Sequence, residues 1–119
     1  MPSVSPKTLS KNLERMRSLA MALPQVTEEL TWGTDINFRV RNKIFAFPGD
    51  GGRLTVKAER EELPALLADP RFTPAPYLGR AGWVRMDLTL LPVDWTEIDE
   101  LIRTSYTLIA PKKLSAELR

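Results

Sequence analysis

Apolar residues that recur every three or four positions predict helices at both ends of the chain. Near the start, this spacing predicts a helix over residues 7–22 that ends before Pro24. Near the end, it predicts a helix that either Asp94 or Thr96 can cap and that runs to about Ile109. Both helices have one apolar side, so we expect each of them to pack on another element.

Between these helices, apolar and polar residues alternate, which is typical of strands with one buried face. Residues 36–47 predict a hairpin that turns at Arg41 and Asn42, because asparagine tolerates the positive φ of a two-residue turn. This turn would place Phe38 opposite Phe45. The side chains of the hairpin would then divide into one apolar face and one polar face.

The remaining pattern completes a fold of mixed helices and strands. Residues 53–57 predict the third strand of a meander, residues 59–68 predict a helix, and a short strand is possible near residues 30–32. A proline-rich connection leads to a strand pair that includes residues 83–88. The predicted order is helix, three strands, helix, two strands, helix. This order makes one α+β domain with helices packed on an antiparallel sheet.

The residue types present limit the chemistry of the chain. Its 119 residues include neither cysteine nor histidine, which excludes a cysteine nucleophile, a serine–histidine triad and a zinc site built on these residues. The sequence contains no phosphate-binding loop, dinucleotide fingerprint or metal-binding motif. Glu28, Glu29 and Asp35 leave catalysis by carboxylates as the enzymatic alternative. We expect a protein that is not an enzyme and that binds no cofactor and no metal.

The basic residues concentrate on predicted strands, loops and the C-terminal end, although the formal net charge is only +2. Phosphate binding requires several cations on one surface. The candidate nucleic-acid-binding residues are Arg39, Arg41, Lys43, Lys57, Arg80, Trp83, Arg85, Lys112 and Lys113. The alternative is that charged strand residues keep a sheet face hydrated and protect its edges.

Two loops that combine glycine with an aromatic residue have two interpretations each. Arg80, between Gly79 and Gly82, either grips a phosphate or only belongs to a turn. Trp83 either stacks on a base or packs in the core, and packing is the commoner role of tryptophan. Residues 32–35 either line a small pocket or cover an edge of the core.

Five strings in series carry a family resemblance: LPQVTEELTWG, FRVRNKIFAF, LTVKAE, PYLGRAGWVRMDL and IDELIRTSYTLIAPKKL. In order and spacing, they resemble the MmcQ/YjbR family over roughly residues 8–114. The resemblance implies a small secretion-chaperone-like fold, in which helices cover an antiparallel sheet. Members of this family are commonly described as DNA-binding proteins of uncharacterised function. Where the family often has a glycine in the hairpin turn, this chain has Asn42, which preserves the turn.

Together these observations predict a small module that binds DNA phosphates through basic strands and loops. The alternative is a domain that binds a protein or peptide on an exposed sheet face or in a groove. We expect a cytoplasmic protein without a membrane segment, because the sequence lacks an apolar run of about 20 residues and a signal-peptide pattern. We expect it to be a monomer or a weak dimer. Its core should span about residues 8–110, and residues 111–119 should form a frayed tail.

Overall fold

The computed structural model describes residues 4–31 and 33–118. Its α-helices are α1 (Pro6–Met21), α2 (Leu63–Leu67), α3 (Trp95–Ile109) and α4 (Lys112–Ser115). Its strands are β1 (Val26–Thr31), β2 (Asp35–Val40), β3 (Lys43–Phe47), β4 (Arg53–Lys57), β5 (Phe72–Pro74) and β6 (Trp83–Asp87). The strands form one antiparallel sheet in the order β1-β2-β3-β4-β6-β5. The predicted α+β class and the single domain are confirmed.

The helix ends follow the capping residues of the sequence. The Ser5 hydroxyl accepts the backbone N–H of Thr8 at 3.2 Å and so caps α1. Of the two caps predicted for the last helix, Asp94 is the correct one, because its carboxylate accepts the N–H of Thr96 at 3.0 Å. The predicted middle helix is divided into a 3-10 turn at Arg60–Glu62 and the short α2.

The core lies between one face of the sheet and the two long helices. Helix α1 contributes Met16 and Ala20, and α3 contributes Ile98, Ile102 and Tyr106. The strand residues buried against them are Phe38, Val40, Phe45, Leu54, Val56, Val84 and Met86. Because successive strand residues point to opposite faces, the residues between these point away from the helices.

The predicted number of strands is wrong at the N-terminal edge of the sheet. Four strands, and not three, lie between α1 and α2, because β1 pairs along its whole length with β2. The middle residues of β1 are exposed, so this segment lacks the alternation that identifies a half-buried strand. The short strand considered near residues 30–32 is the end of β1, and Trp32 lies outside the described residues.

The predicted hairpin turn is confirmed, but the register beyond it is wrong. The turn residues 41–42 have φ values of 51° and 66°. Phe38 lies opposite Ala46 rather than Phe45, because the register shifts at a β-bulge. Phe45 is the additional residue of the bulge. Phe45 and Ala46 are therefore both buried against the helices, while Phe47 faces the other side of the sheet.

The predicted frayed tail is wrong over residues 112–118, which are helical. Helix α4 is followed by a 3-10 turn at Ala116–Leu118. Leu114 is only 2% exposed and belongs to the core. Burial of Leu114 and packing of Leu118 against the core hold the segment against the domain.

Candidate functional site

The sheet face opposite the helices carries an open groove of about 840 Å³. Its strand residues include Ile44, Phe47, Thr55, Trp83 and Arg85, and the loop over residues 75–78 borders it. We call this cleft the sheet-face groove. Its position follows from the layers of the fold, because α1 and α3 pack on the other face.

Strand pairing brings the side chains of the sheet-face groove to one surface. Thr55 is the cross-strand partner of both Phe47 and Arg85. Trp83 lies two residues before Arg85 on β6 and therefore shares its face. These residues come from strands that are separated in the sequence, so the groove forms only when the sheet is assembled.

The groove surface is mostly aromatic and aliphatic. The rings of Phe47 and Trp83 meet at an angle of 61° with their centroids 6.2 Å apart. Trp83 is only 8% exposed, so the packing interpretation describes it better than the stacking one. Tyr77, at the border of the groove, is fully exposed.

Two arginines lie where the sheet-face groove meets a second cleft of about 600 Å³. Arg53 and Arg85 line both clefts. They are diagonal neighbours on one sheet face, because Arg53 pairs with Asp87 while Arg85 pairs with Thr55. Within residues 4–31 and 33–118, no carboxylate lies within 4.0 Å of either guanidinium.

A third arginine in the same region of the sheet is fully paired. Arg71 donates hydrogen bonds to Asp69 and Glu97, each at 2.7 Å. Asp69, followed by Glu97, raises the pKa of the Arg71 guanidinium, and the hydrogen bonds from Arg71 lower the pKa of the Asp69 carboxyl. In contrast, the Nε atom of Arg85 is buried and has no hydrogen-bond partner among the described residues.

The two arginines predicted on the hairpin are engaged in local contacts. Arg39 donates to the Asn37 side chain at 2.9 Å and to Thr31 at 3.3 Å. Its side chain is 21% exposed. Arg41 donates to Gln25 at 2.8 Å from the hairpin turn. These contacts join β2 to β1 and to the segment before it, which is a structural role.

The other predicted cations are distributed over several parts of the molecule. Lys43 is exposed beside the hairpin turn, and Arg80 is exposed in a 3-10 turn at Gly79–Ala81. Lys57 borders a cleft that is also lined by acidic residues of α3 and of the segment before α2. Lys112 and Lys113 lie on α4, whose Leu114 packs on the helix side of the sheet. Of the nine predicted residues, only Trp83 and Arg85 line the sheet-face groove.

Sequence reasoning missed Arg53, Ile44, Phe47 and Tyr77 as site residues. Arg53 could have been found from alternation. Leu54 and Val56 point into the core, so Arg53 lies on the opposite face of the strand. Phe47 could not have been found in this way. Simple alternation places it on the core face with Phe45, and the bulge moves it to the opposite face. In the loop that was considered as a pocket, Asp35 lines the groove and Trp32 is outside the described residues.

Two features are absent from the described part of the chain. There, no group of three or more histidine, cysteine, aspartate or glutamate residues is arranged to hold a metal ion. No helix within the same residues is long and apolar enough to cross a membrane.

The fold and the groove define a small α+β protein with an open, largely apolar sheet face. A sequence model of the YjbR family matches residues 21–108, and the chain belongs to this family. The predicted family resemblance is thereby confirmed. The functions of the family are uncharacterised, so membership identifies the fold without identifying a ligand.

A solved structure supports the same conclusion. The crystal structure of Deinococcus radiodurans protein DR2400, a DUF419 protein, is similar to this chain with a TM-score of 0.73 and 26% sequence identity. The similarity covers 93% of this chain and 90% of that chain. The curated proteins include no match.

Proposed function

We propose that this YjbR-family protein is a binding module that holds an extended segment of a partner protein in the sheet-face groove. The observation that carries the proposal is the apolar surface formed by Ile44, Phe47 and Trp83 on the solvent side of the sheet. Contiguous apolar surface on a soluble protein is typical of an interaction site, because leaving it in water is unfavourable.

The arrangement of the cations supports a protein ligand better than a nucleic acid. Phosphate binding needs several cations side by side. Arg39 and Arg41 already have protein partners, and Lys57 lies next to acidic residues. The sheet-face groove, by comparison, extends over β3, β4 and β6, and the rings of Phe47 and Trp83 are in contact in it.

Selection of peptides from a randomised displayed library on the purified chain tests this proposal. Ile44→Glu places a charge in the groove, and Leu67→Glu places the same charge on α2, at a position that is 40% exposed. We expect the selected peptides to bind the wild type and Leu67→Glu equally. Their affinity for Ile44→Glu should fall at least about tenfold, because a buried charge without a partner is strongly unfavourable.

Both variants are first compared with the wild type by thermal unfolding. If Ile44→Glu does not fold, Tyr77→Glu makes the same test, because Tyr77 borders the groove and is fully exposed. Peptides that bind all the variants equally, or a library that yields no specific binder, would contradict a groove for protein segments.

A nucleic acid is the second candidate ligand, and it is favoured by one specific observation. Arg53, Arg85 and the exposed Tyr77 all line the sheet-face groove, so phosphates and a stacked base could be held together. Fluorescence polarisation with labelled single- and double-stranded DNA at two salt concentrations tests this candidate. We expect binding that weakens with salt and weakens further in Arg53→Gln. Undetectable binding at low salt would exclude it.

A further inference from the structure

We infer that the bound segment presents an acidic side chain, aspartate or glutamate, to Arg85, with Arg53 beside it. The inference rests on the proposed function, because it specifies the ligand of the same groove. The apolar surface would hold the neighbouring side chains of the segment. Arg85 would then select the carboxylate, which makes it a specificity-determining residue.

The environment of Arg85 lacks an acceptor that a ligand would supply. Its Nε atom is buried without a hydrogen-bond partner in the described part of the chain. Its neighbours across the sheet are Thr55 and Thr73, and neither carries a carboxylate. A buried N–H group that has lost water without gaining an acceptor destabilises the folded state. The outer N–H groups of a guanidinium without a carboxylate partner can bind a carboxylate through two parallel hydrogen bonds.

The local charge of the sheet-face groove favours an acidic ligand. Arg53, Arg85 and one acid, Asp35, line it, while Asp50 and Asp87 line the second cleft without an ion pair to either arginine. Arg71, which is close in sequence to β5, already has two carboxylate partners and is not free to bind another. The complementary segment therefore combines large apolar side chains with a negative charge.

The position of the two arginines favours a side-chain carboxylate over the carboxylate of a chain end. Arg53 and Arg85 line both the sheet-face groove and the second cleft. They therefore stand at a junction, and a bound segment can continue past them. A carboxylate captured at this junction belongs to a residue within the segment.

Parallel selections from one randomised displayed library test the inference. They use the wild type, Arg85→Gln and Arg80→Gln, in which Arg80 is an exposed arginine that does not line the described groove. We expect binders of the wild type and of Arg80→Gln to share an acidic residue at a constant distance from apolar ones. Binders of Arg85→Gln should keep the apolar residues and lose the acidic preference.

Synthetic peptides then measure the preference. The best wild-type binder is compared with its Glu→Gln or Asp→Asn analogue, and each is made with a free and an amidated C-terminus. We expect the wild type to prefer the acidic peptide by about tenfold or more, as for a charged hydrogen bond. Arg85→Gln should bind both peptides within about twofold of each other.

The outcomes separate the inference from the function on which it rests. If the peptides lose affinity for Ile44→Glu but bind the wild type equally well in their neutral form, the acidic preference is overturned. The proposed function of the groove would then still stand. Binding that requires the free C-terminus would overturn the side-chain assignment. If no peptide loses affinity for Ile44→Glu, the proposed function is overturned, and the inference with it.

Discussion

The Ser105 hydroxyl donates a hydrogen bond to the carbonyl oxygen of Phe45 over 2.6 Å. Phe45 is the bulged residue of β3, and the same hydroxyl accepts the backbone N–H of Lys57 on β4 at 2.9 Å. A single side chain of α3 therefore satisfies backbone groups of two strands. This contact holds the part of the sheet from which Phe47 enters the groove.

Replacement of Ser105 by alanine should destabilise the fold. The variant leaves a buried carbonyl and a backbone N–H without their partner, so we expect a loss of about 1–3 kcal/mol in the free energy of unfolding. Urea denaturation followed by circular dichroism measures it. Ser18→Ala, on the exposed side of α1, should change the free energy by no more than about 0.5 kcal/mol. Equal effects of the two substitutions would show that the bridge is unimportant.

The stability of the protein should fall at high pH because of Tyr106. Its hydroxyl donates to the Pro24 carbonyl at 2.7 Å. Burial, and then the charge of Glu117, raise the pKa of this hydroxyl above its ordinary value of 10.0, although Arg41 acts in the opposite direction. A raised pKa means that the fold favours the neutral hydroxyl. Its contribution is complete below about pH 10 and is lost as the pH rises through the folded-state pKa.

Tyr106→Phe provides the measurement of this effect. At neutral pH the variant should be less stable by about 1 kcal/mol, because the Pro24 carbonyl loses its donor. As the pH rises above about 10, the difference between wild type and variant should narrow. Denaturation curves at several pH values measure the difference. A constant difference across this range would contradict the assignment.

Gly51 should tolerate no side chain. A Cβ atom on Gly51 would lie 1.9 Å from the carbonyl oxygen of Leu9, and its φ is +104°. At Gly33, φ is +78° but no atom lies within 4 Å of an added Cβ. We expect Gly33→Ala to lose about 1–2 kcal/mol through backbone strain alone. Gly51→Ala should lose at least about 2 kcal/mol more, or fail to fold, because α1 must move. Thermal unfolding compares the two, and similar midpoints would disprove the close contact.

Replacement by methionine should destabilise the fold at Arg71 but not at Arg85. Arg85→Met removes a buried N–H without a partner, so the free energy of unfolding should stay within about 0.5 kcal/mol of the wild type or rise. Arg71→Met removes the guanidinium that pairs with Asp69 and Glu97. It should lower the free energy of unfolding by about 1 kcal/mol. Chemical denaturation measures both changes. If Arg85→Met were the more destabilising variant, the guanidinium of Arg85 would have a structural role instead of one in binding.

The candidate site was predictable only in part. Arg85 and Trp83 were identified because their strand is marked by a glycine-containing loop and by clear alternation. Arg39 and Arg41 were also identified, but their partners Asn37 and Gln25 remove them from a free basic surface. Charge along a sequence shows which residues are cationic. It does not show which of them have found a partner in the folded chain.

The sequence by itself determined the local structure of this protein. The Ser5 and Asp94 caps, the helical spacing of α1 and α3 and the positive φ at residues 41–42 all depend on neighbouring residues. Such interactions act within a few positions, so they can be read from the order of the residues.

Only the tertiary structure decided the edge strand β1, the bulge at Phe45 and the groove between β3 and β6. Strand β1 has little apolar pattern and forms because β2 offers it backbone hydrogen bonds. The bulge is held by Ser105, which lies 60 positions away along the chain. Backbone pairing and burial join residues that are distant in sequence, and no local pattern carries that information.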